Sequence, residues 1–280
     1  MNKGKLRTIP TKYWRPGDNY LEHIIQNIRR KVSDGDFVVL SEKAISTVLG
    51  NIVDESRVKA TLSARFIAGF WMRTAWGYLL GPQCHFPRRL LQRIREYPSE
   101  FGSKHKQVAL QYVGLLDALM FGSEGGIDGS NLPYSYVSLA LPDPSKIADQ
   151  VREEIRRRLG KRVFVMITDT DKTYSLGKFH FTPRHSTVAG IHSSVGLVAY
   201  VLGRMLRLKR RATPLAISGC KISAEDALEI SEAANRARGY GAGRNVWDMT
   251  ERFSVDFAAV SWEMLETVRH KPIVIVRTKR

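Results

Sequence analysis

The sequence predicts a mixed α and β fold of the α+β class, and three observations carry that prediction. Continuous apolar runs at residues 37–40 and 163–167 read as buried strands. Stretches with apolar residues three and four apart, such as 20–32, read as amphipathic helices. No low-complexity segment, fixed-period repeat or clear linker divides the 280 residues, a length that fills one large domain or two small ones.

Residues 6–9 form the first predicted strand, and Arg15-Pro16-Gly17-Asp18 a turn. Asp18 or Asn19 can cap a helix over 20–32, which places Leu21, Ile24, Ile25 and Ile28 on one face. Ser33-Asp34-Gly35-Asp36 ends it before the strand at 37–40. A helix-rich middle covers about 55–97, and its aromatic stripe, with Trp71 and Trp76, reads as core. Residues 106–121 are short and apolar, the turn at 122–126 is glycine-rich, and 137–141 suits a strand. Pro144 opens a helix through Arg158, where Arg156, Arg157 and Arg158 suit the negative end of the helix dipole. The strand at 162–168 follows. Helices are then expected at 195–207 and 224–238, a glycine break at 239–243, a long helix at 253–268 and a last strand at 272–276.

Charge narrows the partners. Lys and Arg total 44 against 27 Asp and Glu, a net charge of +17, with a pI near 10.1. Such an excess favours polyanions: nucleic acid, nucleotides, phosphorylated metabolites or acidic membranes. Two cysteines, Cys84 and Cys220, make neither a disulfide framework nor a zinc site, and suit free thiols in a reducing compartment. No apolar core follows the basic start, Arg65 and Arg73 interrupt the apolar stretch at 64–81, and 195–203 is too short to cross a bilayer. The expectation is a cytoplasmic protein.

Two acidic clusters are suited to chemistry. Gly125-Gly126-Ile127-Asp128-Gly129-Ser130-Asn131 combines sharply turning glycines with oxygen ligands. Ile167-Thr168-Asp169-Thr170-Asp171 lies at the carboxyl end of a buried strand, where open α/β sheets place ligand-contacting groups. Carboxylates and a hydroxyl there are hard-oxygen ligands for Mg²⁺ or Mn²⁺, which in turn hold phosphate oxygens. Asp, Gly, Ser and Asn are also ordinary turn residues. His180, His185 and His192 are spaced by five and seven, which matches no standard zinc motif, and no Gly-x-Ser-x-Gly elbow occurs. Arg238-Gly239-Tyr240-Gly241-Ala242-Gly243-Arg244 has the composition of an RNA-contacting loop, a hinge or a family turn.

The order and spacing of the two acidic clusters resemble the "GxDxSN" and "ITDT" segments of the coenzyme F-420-0:L-glutamate ligases, the CofE-like γ-glutamyl ligases. Pro16-Gly17-Asp18, residues 34–43 and the strand at 272–277 are similar to the family's ends, whereas 171–253 is divergent or expanded. The resemblance implies a single CofE-like domain over 1–280, with mixed sheets flanked by helices, and a homodimer. It further implies a GTP-dependent ligase that adds L-glutamate to an acidic or phosphorylated acceptor through an acyl phosphate, with two Mg²⁺ or Mn²⁺ ions. Carried over by position, Asp128 and Asp169 would hold one cation, Thr170 would help hold the second, and Glu266 keeps the position of a cation ligand. Asn131, Ser41 and Lys43 would face the nucleotide.

Three departures accompany the resemblance. Thr47 stands where the family has a lysine near the nucleotide, with Lys43 close by in sequence. The glycines of the family's "MGExxxGIP" loop are absent from Met264 to Pro272, where Arg269 and Lys271 add charge. The arginine-rich stretch after the second aspartate is replaced by residues 171–178, which points to a different acceptor. These losses leave a second reading open, a catalytically inactive relative that binds nucleic acid or an anionic metabolite through its basic surface.

Overall fold

The computed structural model describes residues 5–122, 124–193 and 196–277. Residues 1–4, 123, 194, 195 and 278–280 lie outside them, so the first four residues of the basic start and the first residue of the helix expected at 195–207 are not described. The strands are β1 (Lys5–Thr11), β2 (Phe37–Ser41), β3 (Ile52–Asp54), β4 (Tyr136–Ser138), β5 (Phe164–Leu176), β6 (Phe179–Thr182), β7 (Ile191–Ser193), β8 (Lys209–Ser218) and β9 (His270–Arg277). The helices are α1 (Tyr20–Ile28), α2 (Glu42–Val48), α3 (Leu62–Phe66), α4 (Gly81–Gln83), α5 (Arg88–Arg95), α6 (Ser99–Tyr112), α7 (Leu115–Ala118), α8 (Pro144–Leu159), α9 (Gly196–Met205), α10 (Ala224–Arg238), α11 (Val246–Phe253) and α12 (Trp262–Glu266). Mixed α and β content with helices flanking mixed sheets is thus the observed architecture.

Among the described residues, a seven-stranded sheet runs β1-β9-β2-β5-β6-β7, with β8 on the other side of β5. Strands β2 and β5 are parallel, and their pairing ends with Ser41 opposite Thr168. Side-chain alternation along these strands sends successive residues to opposite faces. Val38, Leu40, Val165, Ile167, Ile273 and Ile275 pack with Ile24 and Ile28 of α1 and Val151 and Ile155 of α8. Phe37, Val39, Met166, Val274 and Val276 pack with Ala227, Leu228 and Ile230 of α10. Each fully buried aliphatic side chain contributes roughly 1.5–3 kcal/mol, so both faces hold the central strands firmly.

Local chemistry ends the helices. Asn19 caps α1 by accepting from Glu22 N at 3.1 Å, and Asp143 caps α8 by accepting from Lys146 N at 2.9 Å. Gly160 closes α8 in the left-handed conformation at φ 66°. Helix α1 stops at Ile28 instead of running on to Val32.

A second core lies beside the sheet. Between α3 and α4, residues Ile67–Leu80 wind as a π-helix. The wider turn sets residues five apart on one side, so Trp71 and Trp76 both donate Nε1–H to Leu119 O, at 2.8 and 2.7 Å. Trp76 is fully buried among Phe86, Phe121 and Tyr200.

Several expected elements differ. Strand β5 continues past Thr168 to Leu176 and turns into β6. Strand β8 has no counterpart in the sequence reading, because it opens with Lys209-Arg210-Arg211 and contains Pro214. Pro214 is tolerated because it sits at a register shift opposite Thr168, and Arg211 is buried by bonding to Glu225 and Glu229 at 2.6 and 2.9 Å. The long helix at 253–268 is replaced by the end of α11, a left-handed Ser254 at φ 54°, and α12 capped by Ser261. Residues 106–121 are helical through α6 and α7, and the strand expected at 137–141 shrinks to β4, paired with β3. Among the described residues, no helix is long and apolar enough to cross a membrane.

Candidate active site

The site forms at the carboxyl end of β2 and at the midpoint of β5, where the parallel pairing of the two strands ends. Along β5 the pairing with β8 steps from Asp169–Thr213 to Lys172–Ala212, leaving Thr170 and Asp171 as a bulge. A bulge re-aims side chains that a regular strand would point into the sheet. Asp169 Oδ1 accepts from Thr170 N at 2.6 Å, which fixes the turn.

The glycine-rich segment supplies the facing wall. Asp128 bridges to Ser138 of β4, with N–H···O distances of 3.1 and 3.0 Å, and its Oδ1 accepts from Ser130 N at 2.6 Å. Lys43, in the first turn of α2, donates to Ser130 O and Oγ at 3.0 and 2.6 Å and forms an ion pair with Asp128. Thr47, one turn on, donates its hydroxyl to Lys43 O at 2.8 Å.

Arg184, which the sequence reading passed over, ties the two walls together. Its buried guanidinium bonds to Glu42, donates to Gly125 O, and sets Nε 2.7 Å from Asp169 Oδ2 as an ion pair. Asp171 lies 3.9 Å from the same nitrogen. Gly126 has φ 93°, and a Cβ there would collide with the guanidinium. Burial pushes the Glu42 carboxyl up to about 7, against the pull of Arg184. Burial also opposes the charge on Arg184, but Glu42, Asp169 and Asp171 outweigh it and raise its pKa further.

Two cavities share this wall. The smaller, about 160 Å³, is basic: Lys12, Lys43, Arg238, Arg244, Arg269 and Lys271 line it against two acids, Asp128 and Asp169. The larger, about 400 Å³, is aromatic, with Tyr97, Phe101, Phe121, Tyr136, Trp247 and Phe257 among its walls. Asp128, Ser130, Asp169 and Thr170 line both. The larger cavity also reaches a charged cluster. Glu124 accepts from the fully buried Lys106 Nζ at 2.7 Å, and His105 Nδ1 lies 2.7 Å from Glu55 Oε1. Burial opposes charge on His105, yet Glu55 and Glu124 hold its pKa up at about 10.

The expected residues divide accordingly. Ser41, Lys43, Asn131, Asp128, Asp169 and Thr170 all line the smaller cavity. Asn131 (φ 59°) commits its amide to the 239–243 loop: it accepts from Ala242 N at 2.6 Å and donates to Tyr240 O and Gly243 O at 3.1 and 3.0 Å. Glu266 lines neither cavity and bonds to Arg15 Nε at 2.8 Å. The glycines missing before Pro272 have an equivalent in Gly239, Gly241 and Gly243, which border the basic cavity from the end of α10. Arg184 is not marked by its local sequence, and Arg238 is marked only as part of the glycine-rich segment 238–244; the tertiary fold brings both to the site. His180 is buried against Ser175 Oγ at 2.9 Å, and His192 stacks on Phe179, so they do not converge.

The donor set suits a hard cation that arrives with its phosphates. Among the described residues no three His, Cys, Asp or Glu side chains group as a ready metal cage. Mg²⁺ ordinarily takes one or two carboxylates and completes its shell with water and substrate phosphate. Asp128, Asp169 and the Thr170 hydroxyl on the shared wall meet that need.

Sequence comparison adds to this geometry. A family model described as F420-0:Gamma-glutamyl ligase matches residues 8–277. The chain belongs to this family. An uncharacterized protein of Methanocaldococcus jannaschii is 34% identical over 97% of this chain and 95% of its own length. The coenzyme F420:L-glutamate ligase of Archaeoglobus fulgidus is 29% identical over 56% of this chain and 55% of its own. The family match spans the divergent middle as well as both acidic clusters, so the chain is a relative of the F420 γ-glutamyl ligases along nearly its whole length.

Proposed function

We propose that the protein is a GTP- and divalent-cation-dependent ligase that joins an amino acid, L-glutamate foremost, to an acidic acceptor through an acyl phosphate. The observation that carries this reading is the shared wall of Asp128, Ser130, Asp169 and Thr170, which separates a basic cavity from an aromatic one. A nucleotide in the basic cavity would present its terminal phosphate to an acceptor in the aromatic cavity across that wall. The acceptor carboxylate attacks the terminal phosphorus and GDP leaves. The amino group then attacks the acyl carbon, displaces phosphate and releases a proton.

Phosphoryl transfer needs positioning and charge neutralisation more than a reactive side chain. Lys43 and the basic lining of the smaller cavity supply fixed positive charge. Asp128, Asp169 and Thr170 would hold Mg²⁺ or Mn²⁺, whose role is to neutralise phosphate charge. The aromatic cavity would keep water from the acyl phosphate and take the acceptor's apolar body.

Titration calorimetry of metal-stripped protein with GTP and with ATP, with and without Mn²⁺, tests the reading. GTP binding that Mn²⁺ tightens, with that tightening lost in Asp169→Asn, is the expected result. Binding of neither nucleotide would remove the ligase reading. Nucleic-acid binding that falls steeply with salt would then assign the function to the basic surface.

A further inference from the structure

Arg238 occupies an unusual position. It ends α10, borders the basic cavity, and is followed directly by the glycine loop at 239–243. Its Nε and Nη2 atoms are shielded from solvent and have no hydrogen-bond partner. A cation in the last turn of a helix is favoured by the helix dipole, but these nitrogens bond to none of the helix's terminal carbonyls. Burial draws the Arg238 pKa down to about 10, with Asp169 offsetting part of the effect, so the group stays charged at neutral pH.

Asp169 does not need this charge, because Arg184 already pairs with it. Asp128 is likewise paired with Lys43. Both carboxylates of the shared wall therefore have fixed cations, and the half-buried Arg238 adds positive charge beyond them, with two of its nitrogens shielded and unpartnered. Shielded guanidinium N–H groups with no partner carry a desolvation cost that a ligand's oxygens would relieve. Glu266, expected as a cation ligand, lies outside the cavity on Arg15.

We propose that the basic cavity is a polyphosphate site of fixed cations, in which Arg238 binds phosphoryl oxygens and takes the place of a second metal ion. A guanidinium suits this task because its planar fork can meet two phosphate oxygens at once. The inference deepens the nucleotide reading and rests on it for the ligand's identity, but it predicts more: the bare anion binds without any divalent ion.

The probe is inorganic tripolyphosphate in EDTA, titrated calorimetrically into wild type, Arg238→Gln and Arg238→Lys, with thermal unfolding of each protein alone. Wild type is expected to bind, Arg238→Gln to lose roughly ten- to hundredfold in affinity, and Arg238→Lys to recover part of it, as a single charge-assisted pair allows. The unliganded Arg238→Gln protein should unfold at the same temperature as wild type or higher, because it sheds an unpaired charge. A lower unfolding temperature would make Arg238 a structural residue and overturn the proposal. Unchanged tripolyphosphate affinity in Arg238→Gln would overturn it too. Wild type that binds GTP only with Mn²⁺, and tripolyphosphate not at all in EDTA, would overturn it while leaving the ligase reading intact. Tripolyphosphate binding without GTP binding would uphold the anion site and remove the ligase reading.

Discussion

Arg184 Nη2 lies 2.6 and 2.7 Å from the two carboxylate oxygens of Glu42, across 142 positions of sequence. Both side chains are about 95% buried, so neither has water to fall back on. The same guanidinium reaches Gly125 O and Asp169, which makes it the fastener between the glycine-rich segment and the β5 bulge. Removing one partner of a buried ion pair leaves the other uncompensated, at a typical cost of about 3–5 kcal/mol. Arg184→Met should therefore destabilise by that order in urea unfolding, and Glu42→Gln/Arg184→Met by less than Arg184→Met alone. A double variant that loses the sum of the single losses would contradict the pairing. Gly126→Ala should resemble Arg184→Met, since its Cβ displaces the guanidinium from a φ 93° backbone.

The cluster around His105 predicts how stability depends on pH. Burial works against its charge, but Glu55 and Glu124 hold its pKa up from 6.5 to about 10. A cation whose pKa is higher in the folded state stabilises fully below its unfolded value, and that stability is lost as pH rises through the folded value. The window runs from about pH 6.5 to 10. Wild type should lose stability across it relative to His105→Gln, measured by urea unfolding at pH 6 and pH 10. Parallel profiles for the two proteins would show that His105 carries no such charge in the fold.

The outline of the fold was legible where chemistry is local. The apolar runs of β2 and of the first half of β5, the cap at Asn19 (one of the two offered) and the helix opened by Pro144 depend on near neighbours, and each stands where the sequence reading placed it. Strand β8 was not legible, because Arg211 is buried only by virtue of Glu225 and Glu229 on α10. The π-helix was hidden for a related reason: its five-residue register reads as noise against a 3.6-residue period. At the site, Asp128, Asp169, Thr170 and Lys43 were visible as motif residues. Arg184 was not, since nothing in its local sequence marks it, and Arg238 stood out only as the first residue of the glycine-rich segment to Arg244; the meeting of β5, β6 and α10 gives both a place at the site.

Asn131 is predicted to act as the anchor of the 239–243 loop. Its amide makes three hydrogen bonds to that loop's backbone, and at Gly241, with φ 61°, an added Cβ would collide with its Oδ1. Asn131→Asp keeps the acceptor for Ala242 N but loses both donated bonds and sets a carboxylate against two carbonyls. Hydrogen exchange within residues 239–243 should speed up roughly tenfold or more, which corresponds to about 1.4 kcal/mol of local opening. Gly241→Ala should loosen the same segment by displacing the amide. Unchanged protection in Asn131→Asp would free this side chain from the anchoring role and leave it available for a ligand.

Lys43 has two tasks to separate. Its ammonium pairs with Asp128 and bonds to Ser130, and it also lines the basic cavity. If its only work were to hold Asp128, deleting the ammonium would matter no further once that carboxylate was gone. A direct contact with phosphate would persist without Asp128. The crowding of six cations against two acids in the cavity favours direct contact, because Asp128 alone does not account for Lys43 among so many like charges. Lys43→Met should weaken tripolyphosphate binding roughly tenfold in the wild-type background, and by a similar factor when combined with Asp128→Asn. Disappearance of the Lys43→Met effect in the Asp128→Asn background would reduce Lys43 to a positioning residue for the aspartate. Lys43→Met should cost stability only on the order of 1 kcal/mol, since the pair is partly exposed and solvent can take over its role.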